Sequence, residues 1–300
     1  PNFDNNIVER EKKRYIASIS QSETMPATIA SKAFMKALYG DHPYGLSSAG
    51  ETETIQKITK KDLSDFYENN YLSNELSIVI VGDISRKEAE DIGKKISLGF
   101  PENKLVPSIP LVSFNKGQEI KINHPAKQAH LYYGAPVIKR GDPDFLSLYL
   151  GNYILGGGGF VSRLTQVIRE DRGLAYSVYS YFMPYLEAGP FQIGVQTKKN
   201  QVNQAKDLIQ KTVSDFIKNG PTPSELKRAK DFMIGGFPLK LDSNKSILDY
   251  VSMMAFYKYP LDYLETFTKK IDKITAEEIK SAFQRRVDMT KFSTVIVGSE

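Results

Sequence analysis

A duplicated stretch constrains this chain more than any other feature of it. Residues 58–82 read ITKKDLSDFYENNYLSNELSIVIVG, and residues 274–298 read ITAEEIKSAFQRRVDMTKFSTVIVG. The two align without a gap at an offset of 216. Ile58 and Thr59 match Ile274 and Thr275, Leu63 matches Ile279, and the two VIVG tails coincide. Thr59 and Thr275 are suited to cap the helices that follow them. Each tail reads as a short, buried strand ended by glycine. One repetition at this spacing is not a solenoid period. It predicts two homologous α/β domains, each closing with a helix and then a strand. The alternative is chance recurrence of a common helix–strand unit, against which the gapless agreement weighs.

Between the copies, FPENKLVPSIPLVSF at residues 100–114 carries three prolines and little periodicity, so it is expected to be a linker. The expected organisation is then residues 1–100 as the C-terminal half of a first domain, 101–114 as linker, and 115–300 as a second domain. If the domains are homologous, the first lacks its N-terminal half. The chain opens Pro-Asn-Phe-Asp, without Met or a basic-then-apolar leader. Residue 1 therefore reads as a cut point, and targeting cannot be read.

A length of 300 residues suits two domains, and 41% hydrophobic with 25% charged residues suits a globular chain with a real core. Lys plus Arg number 40 against 35 Asp plus Glu, and the charges are interleaved, so nucleic-acid binding is not implied. No cysteine is present, which excludes disulfides, thiolate metal sites and cysteine nucleophiles. The three histidines, His42, His124 and His130, are too few and too scattered for an ordinary histidine zinc site. No apolar run approaches the roughly 18 residues of a membrane span.

Helical spacing covers residues 8–20, 27–39, 60–69 and 87–96, with a strand expected over 76–81. Later, 118–122 and 130–135 alternate as strands, and 143–155 forms an apolar helix closed by glycines. Residues 160–170 form a further helix, 176–185 and 189–196 a hairpin, and 202–218 an amphipathic helix ended by Asn219-Gly220. Thr222-Pro223-Ser224-Glu225 is a capping box with proline at the first helical position. Hairpin rather than βαβ spacing argues for an α+β fold, two layered domains with largely antiparallel sheets.

The segment LGGGGFVSRLTQVIREDRGLAYSVYS at 155–180 stands out. Gly156, Gly157, Gly158 and Gly159 lie between two helices, where glycine frees the backbone and admits a close neighbour. The run lacks the lysine and preceding strand of a phosphate loop. A loop near a substrate and a simple helix break are both open readings. Arg169 and Tyr176 flank Gly173, so a guanidinium at a helix end and a phenol at a strand start can share one side of a cleft. Such groups suit binding a carbonyl and a developing oxyanion. A surface arginine and a half-buried strand tyrosine are the plainer alternative. No histidine has a second at i+4 with a glutamate, and no G-x-S-x-G elbow occurs.

LGGGGFVSRL followed by IREDRGLAYSVYS resembles the second domain of the pitrilysin/insulinase family of zinc peptidases, relatives of the processing peptidases. HPYG at 42–45, the helix beginning Ile58-Thr59 and the strand IVIVGDI at 78–84 resemble the closing half of that family's first domain. The resemblance spans nearly the whole chain. It implies a zinc held by H-x-x-E-H, with the glutamate as base, and by a later glutamate. H-x-x-E-H is absent here, and in relatives it lies upstream of everything in this chain. The later motif resembles residues 9–21, where Glu11 is retained and Ser18 stands at the ligand position. A neutral hydroxyl is a poor zinc ligand, so no metal is expected in this chain.

Arg169 and Tyr176 match the family's substrate-binding pair by spacing. The resemblance thus implies a non-metallated subunit of a heterodimeric zinc metallopeptidase, inactive alone. Its zinc-bearing homologous partner would bind an extended peptide by strand addition. Arg169 and Tyr176 would support cleavage, and Gly156, Gly157, Gly158 and Gly159 would contact substrate. Two alternatives stay open: a non-catalytic peptide-binding or scaffold protein of the same fold, and a complete zinc endopeptidase with its metal motif upstream. The family also suggests a periplasmic location.

Overall fold

The computed structural model describes residues 1–102, 108–114 and 116–298. In chain order the early elements are α1 (Asn5–Ser22), α2 (Pro26–Tyr39), α3 (Thr52–Lys57), α4 (Lys60–Asn70) and α5 (Arg86–Ser97). Then come β1 (Glu119–Ile122), β2 (Gln128–Ile138), α6 (Phe145–Asn152), β3 (Ala175–Phe182), β4 (Gly189–Lys198), α7 (Val202–Asn219) and α8 (Pro223–Gly236). α9 (Asn244–Phe256), α10 (Tyr263–Lys273), α11 (Ala276–Arg286) and β5 (Ser293–Val297) complete the set. The fold is α+β, with one mixed sheet in the order β1-β5-β2-β4-β3. Only β1 and β5 pair in parallel; the other neighbours are antiparallel, as the hairpin spacing predicts.

The repeat is structural to the residue until its last segment. α4 and α11 occupy equivalent positions, and each opens with a reciprocal cap. Thr59 accepts from the Asp62 amide while Asp62 accepts from Thr59, and Thr275 does the same with Glu278. Both helices stop at a residue of nearly equal backbone angles, Tyr71 (φ −97°, ψ 85°) and Val287 (φ −102°, ψ 87°). A 3-10 turn follows in each, Ser73–Glu75 and Met289–Lys291. Leu76 and Phe292 then leave with matching angles.

There the copies part. β5 is buried between β1 and β2. Residues 76–81, expected as a strand, join no sheet among the described residues, and Leu76, Ile78 and Ile80 are each 36% exposed. The correction has a plain cause. Local preference fixes the turn and the exit direction, but a strand exists only with a partner ladder.

The chain also divides differently from the expected consecutive domains. One compact unit comprises Pro1–Gln21, Ser48–Ser108 and Gly236–Tyr263, and the other Ser22–Ser47, Ile109–Gly235 and Leu264–Glu300. α2 explains the interleaving. Its Ala30, Phe34, Ala37 and Leu38 pack on Val295 and Val297 of β5, with Ile120, Ile122 and Tyr132 alongside. Burying that stripe on the sheet outweighs nearness in sequence. Val112 joins the same cluster, so the end of the expected linker belongs to the second unit; residues 103–107 of it lie outside the described residues.

Within the second unit, one sheet face is largely apolar. Leu131 and Tyr133 of β2, Phe191, Ile193 and Val195 of β4 and Ile296 of β5 are buried there, toward α6, α7 and α11. β3 is an edge strand, and the helical layer is fastened to its backbone. Asn152 Nδ2 donates to the Ser180 carbonyl at 2.9 Å, and Ser180 Oγ donates back to Asn152 Oδ1 at 2.6 Å. A π-turn, Tyr153–Gly157, continues α6 along the strand. A Cβ on Gly156 would lie 2.3 Å from Ser180 Oγ and 2.9 Å from Ser180 N, so only glycine fits.

A second fastening uses charge. Arg163 Nε and Nη2 donate to the two Glu225 oxygens at 2.7 Å each, Nη2 also reaches the Gly220 carbonyl, and the guanidinium lies over Phe216. Burial pushes the Glu225 carboxyl up, but hydrogen bonds from Arg163 and Thr222 outweigh it, lowering it from 4.5 to about 2. A carboxylate lowered on folding stabilises the fold above its unfolded value and loses that contribution as pH falls through its folded value. The contribution is roughly 3 kcal/mol, lost between pH 4.5 and about 2.

Two predictions follow from these fastenings. Arg163→Ala should lower stability by about 2–3 kcal/mol at pH 7, less than a fully buried pair because the Thr222 hydrogen bonds remain. Urea melts should then show the difference from wild type shrinking steadily between pH 4.5 and pH 2. Gly156→Ala should cost about 1–3 kcal/mol by overpacking. Gly235→Ala, an exposed helical position with nothing within 4 Å of the added Cβ, should instead gain about 0.5–1 kcal/mol.

Candidate functional site

The other face of the second unit's sheet is divided. α2 covers it over β1, β5 and part of β2. Beyond that cover, β2, β4 and β3 present polar and aromatic side chains. Cross-strand register sets Gln128 opposite Lys198, His130 opposite Gln196, and Tyr132 opposite Gly194. Tyr179 lies opposite Gly194 from the far side, and its ring fills the space a Cβ at Gly194 would need. Tyr179 and Tyr181 stack at 5.6 Å, and Gln192 Nε2 donates to the Tyr181 hydroxyl at 2.8 Å. Burial, with the neighbouring Tyr132 and Tyr185, pushes the Tyr181 phenol up to about 12, so it stays a neutral hydrogen-bonding group.

Arg169 and Tyr176 sit where local structure sends them. Arg169 lies in the last turn of a helix whose final stretch, Thr165–Glu170, is π-helical. Gly173 then adopts φ +61°, and the Gly173 and Leu174 amides close on the carbonyls of Arg169 and Ile168. That left-handed residue turns the chain into β3. The pairing of β3 with β4 slips by one residue between Ala175 and Ser177. Tyr176 is the extra residue of this bulge, and it is 60% exposed. A bulge re-aims a side chain that the pleat would otherwise fix. Here it places Tyr176 beside His130 and Gln196 at a cavity of about 690 Å³.

The two members of the pair make separate contacts. Arg169 lies 4.7 Å from the Phe160 ring centre and 3.5 Å from Glu170 Oε1. No hydrogen bond or ring contact joins it to Tyr176 among the described residues. The glycines divide likewise. Gly156 is buried against β3, and a Cβ on Gly157 or Gly158 would strike Asn152 or the Tyr153 carbonyl. Gly159, with φ +60°, has open space around it and leads to the exposed Phe160 and Val161. Packing accounts for three of the glycines, Gly156 against β3 and Gly157 and Gly158 against the turn's own residues.

The histidines separate into two kinds. His42 and His124 each precede a proline and accept from the amide two residues on, at 3.1 Å in both. Their other ring nitrogens meet the carbonyls of Pro110 and Thr24. Both are therefore local turn residues. His130 has no hydrogen-bond partner among the described residues, and burial, then nearby His124, lowers its pKa. Sequence reasoning set all three aside together; the alternation of β2 gave the one signal that His130 lies on the open face.

The residues at the family's zinc-ligand position do not fit the metal. Ser18 is exposed on α1 and offers a neutral hydroxyl. Glu11, two turns earlier on the same helix, is held by Arg14 at 2.6 Å and Arg10 at 3.1 Å, and those hydrogen bonds lower its pKa. Among the described residues no group of three His, Asp or Glu converges as a metal site. No described helix is long and apolar enough to cross a membrane.

Comparison with known proteins agrees with this donor set. Residues 57–233 match the family model described as the peptidase M16 inactive domain. The chain is 29% identical over its whole length to the non-peptidase homologue YmxG of Helicobacter pylori, spanning 69% of it. It is 31% identical over 81% of its length to an uncharacterised zinc protease, also YmxG, of Bacillus subtilis, spanning 59% of that protein. It superposes with a TM-score of 0.96 on a crystal structure of a peptidase M16 inactive domain from Pseudomonas fluorescens, at 35% identity, covering 100% of this chain and 72% of that one. With more than half of its residues matching that model, the chain belongs to the peptidase M16 family, in the part of it described as the inactive domain.

Proposed function

We propose that this chain is the non-metallated subunit of a two-chain zinc metallopeptidase, holding an extended peptide while a zinc-bearing homologous partner cleaves it. The observation that carries the reading is the bulge at Tyr176, which spends a ladder residue to present a phenol on the polar face. Tyr176 Oη donates to a substrate carbonyl and holds that bond as charge develops on the oxygen. Arg169, fixed by its stack on Phe160, supplies a positive charge and a second set of donors at the same end of β3. The open space at Gly159 leaves room for the peptide backbone beside it. No step runs through a metal in this chain, because its donors do not fit one. The zinc, the partner and a periplasmic setting all belong to this proposal.

A scaffold role without turnover is the second reading. It is favoured by Arg169, whose contacts with Glu170 and Phe160 are satisfied within its own segment.

Elemental analysis should find no stoichiometric zinc in the isolated chain; about one tightly held ion per chain would overturn the non-metallated assignment. In the assembled pair, Tyr176→Phe should reduce kcat by about 10²–10³, the usual effect of losing one oxyanion donor. Arg169→Ala should raise KM as well, since a charge-assisted hydrogen bond to the ground state is lost. Thermal melts should be little changed in both. Wild-type turnover from both variants would leave the scaffold reading standing.

A further inference from the structure

The cavity beside Tyr176 has a chemical character of its own. Its polar lining comes from Gln128 and His130 of β2, Gln196 and Lys198 of β4, Tyr176 of the β3 bulge, and Lys127. None of its lining residues is a carboxylate. Gln196 Nε2 donates to Gln128 Oε1, which fixes the floor and orients both amides. Neither lysine forms an ion pair among the described residues, whereas nearby Lys199 is tied to the His124 carbonyl at 2.8 Å. His130 likewise has no partner, in contrast to the two histidines used as turn residues.

Such a cavity gathers donors without acceptors of matching charge. Two lysines, a histidine and a tyrosine line one space of about 690 Å³. An unpaired, half-buried imidazole is costly to protonate, first through burial and then through nearby His124, until an anion arrives. A carboxylate entering the cavity supplies the missing acceptor and can take several donors at once. A bare cation or an apolar side chain finds no such complement.

We propose that this cavity is a subsite for a peptide carboxylate, bound by Lys127, Lys198 and His130 beside Tyr176. The proposal rests on the peptide-holding reading and extends it to substrate class. The carboxylate has two sources, a C-terminal carboxylate or an acidic side chain, and both have the same chemistry. In either case the subsite fixes the register of the peptide relative to Tyr176.

Two measurements on the full chain test it. The first uses fluorescent peptides of one sequence in three forms: free C-terminus with an internal glutamate, the same peptide amidated, and the same peptide with glutamine for glutamate. Loss of the contacting carboxylate should weaken binding about tenfold, and the arm that weakens identifies the source. The Lys127→Gln/Lys198→Gln double variant should abolish the preference while still binding the neutral form. Equal affinity for all three forms would overturn the subsite and leave peptide holding intact. The second measurement does not need a peptide. Histidine NMR, assigned with His130→Asn, follows the three imidazoles with and without N-acetyl-glutamate. His130 should titrate at higher pH with the anion present, and His42, which lies outside the cavity lining, serves as the reference. The groups facing His130, namely His124, Lys127, Lys198 and the Tyr176 phenol, include no carboxylate, so an upward shift requires the bound anion. No shift at His130, or an equal shift at His42, would overturn the proposal. A shift without any peptide binding would instead overturn the peptide-holding reading, and with it the peptide as the source of the carboxylate.

Discussion

Asn152 and Ser180 exchange two hydrogen bonds inside the second unit, and the geometry of the candidate site depends on them. Both side chains are buried, so neither can trade its partner for water. Asn152 is the last residue of α6, and Ser180 lies in the edge strand that carries Tyr176. The pair holds the glycine-rich turn against β3 and gives the edge a fixed neighbour. Ser162 and Thr165 extend the polar contact, with Ser162 Oγ reaching the Gly159 carbonyl at 2.7 Å and Thr165 Oγ1 at 3.0 Å. A fully satisfied network of this kind specifies one arrangement where an apolar contact would tolerate several.

The glycines then have two distinct tasks. Gly156, Gly157 and Gly158 let the turn lie close to β3 and to itself, while Gly159 and Gly173 supply left-handed corners before and after the helix that carries Arg169. The spacing of Arg169 and Tyr176 is thus set by a corner and a bulge. Neither is a preference of the two side chains themselves.

Caps and repeats were legible in the sequence because they act over three or four residues. Thr59, Thr275 and Thr222 each bond to a carboxylate three positions on, and each helix starts there. The equivalence of α4 and α11 was legible for the same reason. Features that depend on distant partners were not. Residues 76–81 and 293–297 share a pattern, and only the second meets a sheet. α2 has an ordinary amphipathic stripe, and nothing local says that the stripe lies on β5. The π-turns at Tyr153–Gly157 and Thr165–Glu170 leave the 3.6-residue period and so escape periodicity. The bulge at Tyr176 is a register slip between strands, visible only once both are paired. His130 was passed over because one histidine in an alternating strand gives no sign of which groups will stand beside it.

The exit of the first repeat has a colloidal consequence. Residues 76–81 read LSIVIV, an uncharged, β-branched hexapeptide without proline. A segment of that composition, outside any ladder, has the makings of a cross-β template, since identical copies stack in register and interdigitate dry. Glu75 and Asp83 bracket it with like charge, which repels a second copy as it aligns. Its tendency to self-associate is therefore tied to the ionisation of two carboxylates. Salt that screens them, or acid that neutralises them, removes the only charge standing at the ends of the stretch.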